Sequence, residues 1–170
     1  MRELESQLKA PFDSQDIEWR VQNSGTSNGS HWAMVLAYVT NRAIMDRLDE
    51  VFGIEGWSNE YIYPADGGVL CGITVHAGST GELSITKWDG ADKTNIEPTK
   101  GGLSNSMKRC AVQWGIGRYL YRLEANFVTM TEAKPSNMKG WGIHYDKDLR
   151  KRLYWQHPTL PDFARPSSTN

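Results

Sequence analysis

Apolar positions along the chain change period several times, and each change marks an element. Leu4, Leu8 and Phe12 recur at helical spacing, with Pro11 as the stop, and "DIEWRV" then reads as a short strand. "QNSGTSNGS", from Gln22 to Ser30, is polar and rich in Gly and Ser, which predicts a flexible loop. From His31 to Gly53 a single long helix fails on phase. Trp32, Val35, Leu36 and Val39 share one stripe, whereas Ile44, Leu48 and Val51 fall roughly a third of a turn or more away at about 100° per residue. An apolar strand from Trp32 to Val39 and a separate helix resolve the conflict, with Thr40 as N-cap and Gly53 as stop.

Beyond Trp57 the pattern is β. "WSNEYIY", "VLCGITVHA" and "ELSITKW" are joined by "PADGG" and "GST", whose Gly-rich turn chemistry predicts an antiparallel meander. A loop, "DGADKTNIEPTKGG", leads into a helix on which Leu103, Met107, Cys110, Trp114 and Tyr121 form the core-facing stripe. Lys108, Gly115, Tyr119 and Arg122 would line the neighbouring flank, with Arg118 at its border. The expected fold class is α+β: an antiparallel β-meander with a long helix packed across it, a β-β-β-α core. The tail from Thr131 shows few regular signals. It predicts an irregular extension, so the expected division is a core domain over 1–130 and an aromatic, Pro-containing extension over 131–170.

Charge changes this picture at one place. The chain carries 19 Lys and Arg against 20 Asp and Glu, so overall basicity is no argument for a polyanion partner. Between Pro98 and Leu123, however, Lys100, Lys108, Arg109, Arg118 and Arg122 occur without one acid. A solvated helix face usually mixes signs for i to i+4 pairing, and the missing acids favour a binding surface. Tyr119 and the glycines of "GIGRY" add a ring and gaps where a backbone could approach. No GxGxxG follows a strand, so a dinucleotide site is not indicated.

Other chemistry is sparse. Asp89, Asp92 and Glu97 could bind a divalent metal for phosphodiester hydrolysis, but their spacing matches no calcium loop and a solvated turn is the simpler reading. The four histidines are scattered singly, and no nucleophile–base pair stands out. Cys71 and Cys110 lack any metal-binding spacing and read as free buried thiols of a reducing compartment. No apolar run reaches the ~18 residues of a membrane span, and "MRELESQLKAPF" is no signal peptide. The expectation is a soluble intracellular protein with no cofactor and no metal, and not an enzyme.

Three blocks carry a resemblance: "YVTNRAIMDRLDEVFGIEGW", "WDGADKTNIEPTKGGLSNSMKRCAVQWGIGRYLY" and "LYWQHPTLPDFARP". Together they resemble the single-strand DNA annealing proteins of the Rad/Sak type, a superfamily that includes phage recombinases and the bacterial damage-response protein DdrA. The resemblance implies a curved antiparallel sheet crossed by a long helix, and ATP-independent binding and annealing of single strands in a basic groove. It places Lys108 and Arg109 on the groove-facing helix and matches Arg42 to a basic residue at the start of the preceding one. With Lys100, Arg118, Tyr119 and Arg122 these make the expected DNA-binding set. Eukaryotic members have a further arginine where this chain has Val112.

The implied role is homologous recombination and double-strand-break repair, phage-encoded and in the host cytoplasm. The implied partners are single-stranded DNA, further copies of the chain in a ring or arc, and a single-strand DNA-binding protein. A non-annealing, end-protecting binder of the DdrA kind is the alternative reading. A metal-dependent nuclease using Asp89, Asp92 and Glu97 is the more distant one.

Overall fold

A computed structural model describes residues 2–65, 67–77, 83–92 and 98–167, with backbone alone at 77 and 98–100. Helix α1 (Arg2–Lys9) opens the chain, and β1 (Ile17–Ser27) and β2 (Ser30–Val39) form a long hairpin. The expected loop at Gln22–Ser30 is therefore two strand ends around a two-residue turn. Asn28 and Gly29 take left-handed backbone, φ 49° and 78°, which matches the right-handed twist of the flanking strands. Polar composition misled here because Asn23, Thr26 and Ser27 face solvent, while the ladder itself satisfies the backbone.

Helix α2 (Asn41–Phe52) forms as expected. Thr40 accepts the Ala43 N–H at its start, and the Gly53 N–H closes on the Asp49 carbonyl at 2.8 Å. Strands β3 (Trp57–Ile62), β4 (Val69–Ala77) and β5 (Leu83–Ala91) build the meander. Val69, Cys71, Ile73 and Val75 alternate along β4 and are buried, and helix α3 (Pro98–Gln113) lies against β4 and β5. The expected β-β-β-α core is present, and both cysteines are free and buried.

The helix ends earlier than its apolar stripe suggests. Gly117 has φ 68°, and a Cβ there would stand 2.6 Å from Val39 Cγ2, so the position needs both a left-handed backbone and an absent side chain. After this break the chain turns as a short 3-10 helix, Arg118–Arg122. Tyr121, expected in the core stripe, is consequently 68% exposed. The flank of Lys108, Gly115, Tyr119 and Arg122 does not form as one surface, since the last three lie beyond the helix end.

The expected irregular extension contains regular structure. β6 (Asn126–Met130) adds to the free side of β2, giving the sheet order β1–β2–β6. β7 (Trp141–Asp146) and β8 (Lys151–Gln156) make a third sheet, bridged to the first through Thr131 and Tyr154. Leu153 and Trp155 pack with Ala33, Val35 and Met130, while Leu160 and Ala164 join the main cluster around Ile44, Leu48 and Ile116. Four of the seven prolines lie in this stretch, yet its apolar residues complete both cores.

The N-terminus is latched from two directions. The Phe12 N–H donates to Tyr119 Oη at 3.0 Å, and the Arg47 guanidinium lies 4.0 Å above the Phe12 ring. Arg47 also donates to the carbonyls of Gln7 and Ala10. No helix among the described residues is long and apolar enough to cross a membrane.

Candidate nucleic-acid interface

β6 pairs with β2 only from His31 to Val35, so the rest of β2 keeps an open edge. That edge faces the start of β4, the end of β5 and helix α3 across a cleft of about 990 Å³. Three cations border it: Arg20 from β1, and Lys108 and Arg109 from α3. Consecutive helical residues point about 100° apart. Both reach the cleft because it runs along β2 on one side of the helix and the β4–β5 end on the other. Asp92 and Glu124 are the carboxylates on its lining, and Tyr121 stands at its rim.

Neither helical cation is isolated. Lys108 Nζ pairs with Glu18 Oε1 and lies 5.9 Å from the Tyr38 ring centroid. The same carboxylate oxygen accepts from Arg20 at 3.1 Å, so one Glu joins a strand cation to a helix cation. Burial lowers the Lys108 pKa, and the Glu18 hydrogen bond and charge offset part of that effect. Its side chain is only 10% exposed.

Arg109 differs. Its Nε donates to Asp89 at 3.1 Å, its side chain is 56% exposed, and no acceptor among the described residues takes its terminal nitrogens. Asp89 also accepts from Gln113 Nε2 at 3.1 Å and from the Gly90 N–H at 2.7 Å. Burial pushes the Asp89 pKa up, but these three donors outweigh it and hold the carboxyl below its ordinary value. The result is a guanidinium fixed at its root with its planar fork free, the geometry suited to a phosphate.

The other expected residues lie away from this pair. Arg118 donates from Nε and Nη2 to the Val112 carbonyl, at 2.9 and 2.7 Å, and from Nη2 to the Gln113 carbonyl, so it caps the end of α3. Tyr119 is held by Phe12, and burial raises its hydroxyl pKa. Arg122 stacks over Phe163 at 4.8 Å. Arg42 is exposed on α2 and does not line the cleft. The Lys100 side chain and Glu97 lie outside the described residues. Asp89 is committed to Arg109 and Gln113, and no cluster of three or more His, Cys, Asp or Glu side chains able to hold a metal exists among the described residues.

Sequence reading passed over Arg20 and Glu18. Their signal was alternation: on β1 they lie on the face opposite Trp19 and Val21, and register brings that face to Tyr38 and Leu36.

Comparison with known proteins agrees with this architecture. Residues 1–139 match the profile described as "Rad52/22 family double-strand break repair protein". The "Single-stranded DNA-binding protein DdrA" of Deinococcus radiodurans is 32% identical over 170 residues, covering 98% of this chain and 69% of that protein. Its counterpart of the same name from Deinococcus deserti is 30% identical over 172 residues, covering 98% and 72%. With the profile matching most of the chain and the β-β-β-α core in place, the protein belongs to the Rad52/22 family of double-strand break repair proteins.

Proposed function

We propose that the protein binds single-stranded DNA in the cleft and promotes pairing of complementary strands without ATP. The observation that carries this reading is the open guanidinium fork of Arg109 beside Lys108 and Arg20, in a cleft of a Rad52/22-family chain. Cations at the cleft hold phosphates and release the strand's counterions, which gives affinity without sequence preference. Bases left outward are then tested by a second strand through pairing itself. Annealing is downhill, so the protein's task is to extend strands and reduce their mutual repulsion. No bond is made or broken. Lys108 joins the contact by exchanging Glu18 for a phosphate oxygen, so the free protein carries a carboxylate where the strand would lie. The setting is recombination and repair in the cytoplasm.

Mixing two labelled complementary oligonucleotides with the protein should speed pairing above the spontaneous rate at matched salt, equally with and without ATP. Binding without any acceleration would leave the second reading, a strand-coating or end-protecting protein, which the similarity to proteins named for single-strand binding favours.

The cleft of one chain spans few nucleotides, so the same reading includes a homo-oligomer, a ring or arc that joins clefts into a continuous track. Light scattering should find assemblies well above the 19.2 kDa chain mass. A single species of that mass, free and with DNA, would remove the ring.

A further inference from the structure

One sheet face leads out of the cleft. In register, Glu18 stands beside Tyr38, Arg20 beside Leu36, Asn23 beside Met34 and Gly25 beside Trp32; β6 adds Phe127 next to Met34 and Thr129 next to Trp32. Directly opposed residues of antiparallel strands share a face, so these side chains form one continuous strip. Arg20, Leu36 and Tyr38 border the cleft at one end. Trp32, six residues from Tyr38, lies about 20 Å along the strand at the other.

The outer end carries an aromatic pair. Phe127 is 67% exposed, and its ring centroid lies 5.8 Å from that of Trp32 with the planes tilted by 54°. Gly25 makes room for the indole: a Cβ there would come within 2.9 Å of Trp32 Cζ2. The half-buried Trp32 thus lies down on the strand and braces Phe127, whose ring projects into water. A phenyl ring left mostly in water forgoes its burial energy, and its aromatic partner among the described residues is Trp32.

The surroundings decide the occupant. The neighbours of the rings on the strip are Asn23, Gly25, Met34 and Thr129, none of them charged and only Met34 aliphatic. A protein partner needs about 800 Å² per side around its apolar anchors. A strip two rings wide in a small polar frame does not supply that. Single-strand binders instead combine a cationic track with isolated rings on which bases stack.

We propose that Phe127, buttressed by Trp32, is a stacking platform for an unpaired base of a strand whose phosphates lie in the adjoining cleft. This rests on the reading of the cleft as a single-strand site.

The test compares a thymidine oligonucleotide with an abasic oligonucleotide of equal length, which keeps the phosphates and lacks the bases. Phe127→Ala should weaken binding of the thymidine strand roughly tenfold, within the range found for one base–aromatic stack. It should leave the abasic affinity and the salt slope unchanged, and Phe127→Tyr should bind both strands like the native protein. Equal thymidine affinity for Phe127→Ala and the native protein, or a loss of the same size on the abasic strand, would overturn the platform while the cleft reading stands. A native protein that binds neither strand would overturn both.

Discussion

Alanine at Lys108 and Arg109 together is expected to cost two to four decades of single-strand affinity, alike for all base sequences. Each residue offers a charge-assisted hydrogen bond to phosphate, of about 1.5–3 kcal/mol. Two such contacts therefore give a loss of roughly 3–6 kcal/mol. The salt slope should fall by about 0.7 per contact, about 1.4 for the pair. The single variants should not be equal. Arg109 presents a free fork and is expected to carry the larger share, whereas Lys108 must first leave Glu18. Within the chain, the root of the Arg109 guanidinium pairs with Asp89. Binding curves at several salt concentrations, with light scattering on the same samples, would decide the matter. Unchanged affinity and slope in a folded double variant would take these residues out of the site.

Trp155→Ala should be the most destabilising single truncation. The indole is 2% exposed and packs with Ala33, Val35, Met130 and Leu153 under the first sheet. Removing a buried Trp side chain costs about 3–5 kcal/mol, against a total of about 5–15 kcal/mol for a typical domain. Urea unfolding should show the midpoint moved to lower denaturant by the loss divided by the slope, with the slope of the transition preserved. A loss under about 1 kcal/mol would mean that the C-terminal hairpin is not part of the cooperative unit.

Elements with local signals were legible in the sequence. Thr40 and Gly53 bracket α2 because caps are written within four residues of the groups they satisfy. The meander was legible because each strand alternates and each joint carries turn chemistry. The outer half of β1 was not, since Asn23 to Ser27 carries no apolar side chain and is held by ladder bonds and by Ser24 against His144 of β7. The helix end was hidden because Tyr121 continues the apolar spacing past Gly117, and spacing carries no information on backbone handedness.

The site was half legible for a related reason. A window along one helix displays only its own charges, and there Lys108 and Arg109 stand among cations. Their carboxylates, Glu18 and Asp89, come from strands 90 and 20 residues away. The acid-free run is thus a property of the segment, and the folded neighbourhood is balanced. What distinguishes Arg109 is the direction of its unused donors, which only the register of β5 against α3 determines.

The latch on the N-terminus bears on the order in which the chain can be made. Phe12 leaves the ribosome well before its acceptor: the hydroxyl that receives its N–H belongs to a residue 107 positions later. Leu160 and Ala164, which share a cluster with Leu8 and Phe12, follow later still. During synthesis the first hairpin closes from neighbours, and the meander from strands a few residues apart. Helix α1 can meet Arg47 of α2 early, but the Tyr119 clasp and the packing of Leu160 and Ala164 wait until those residues have emerged. The earliest of these elements to be made is therefore among the last to complete its contacts.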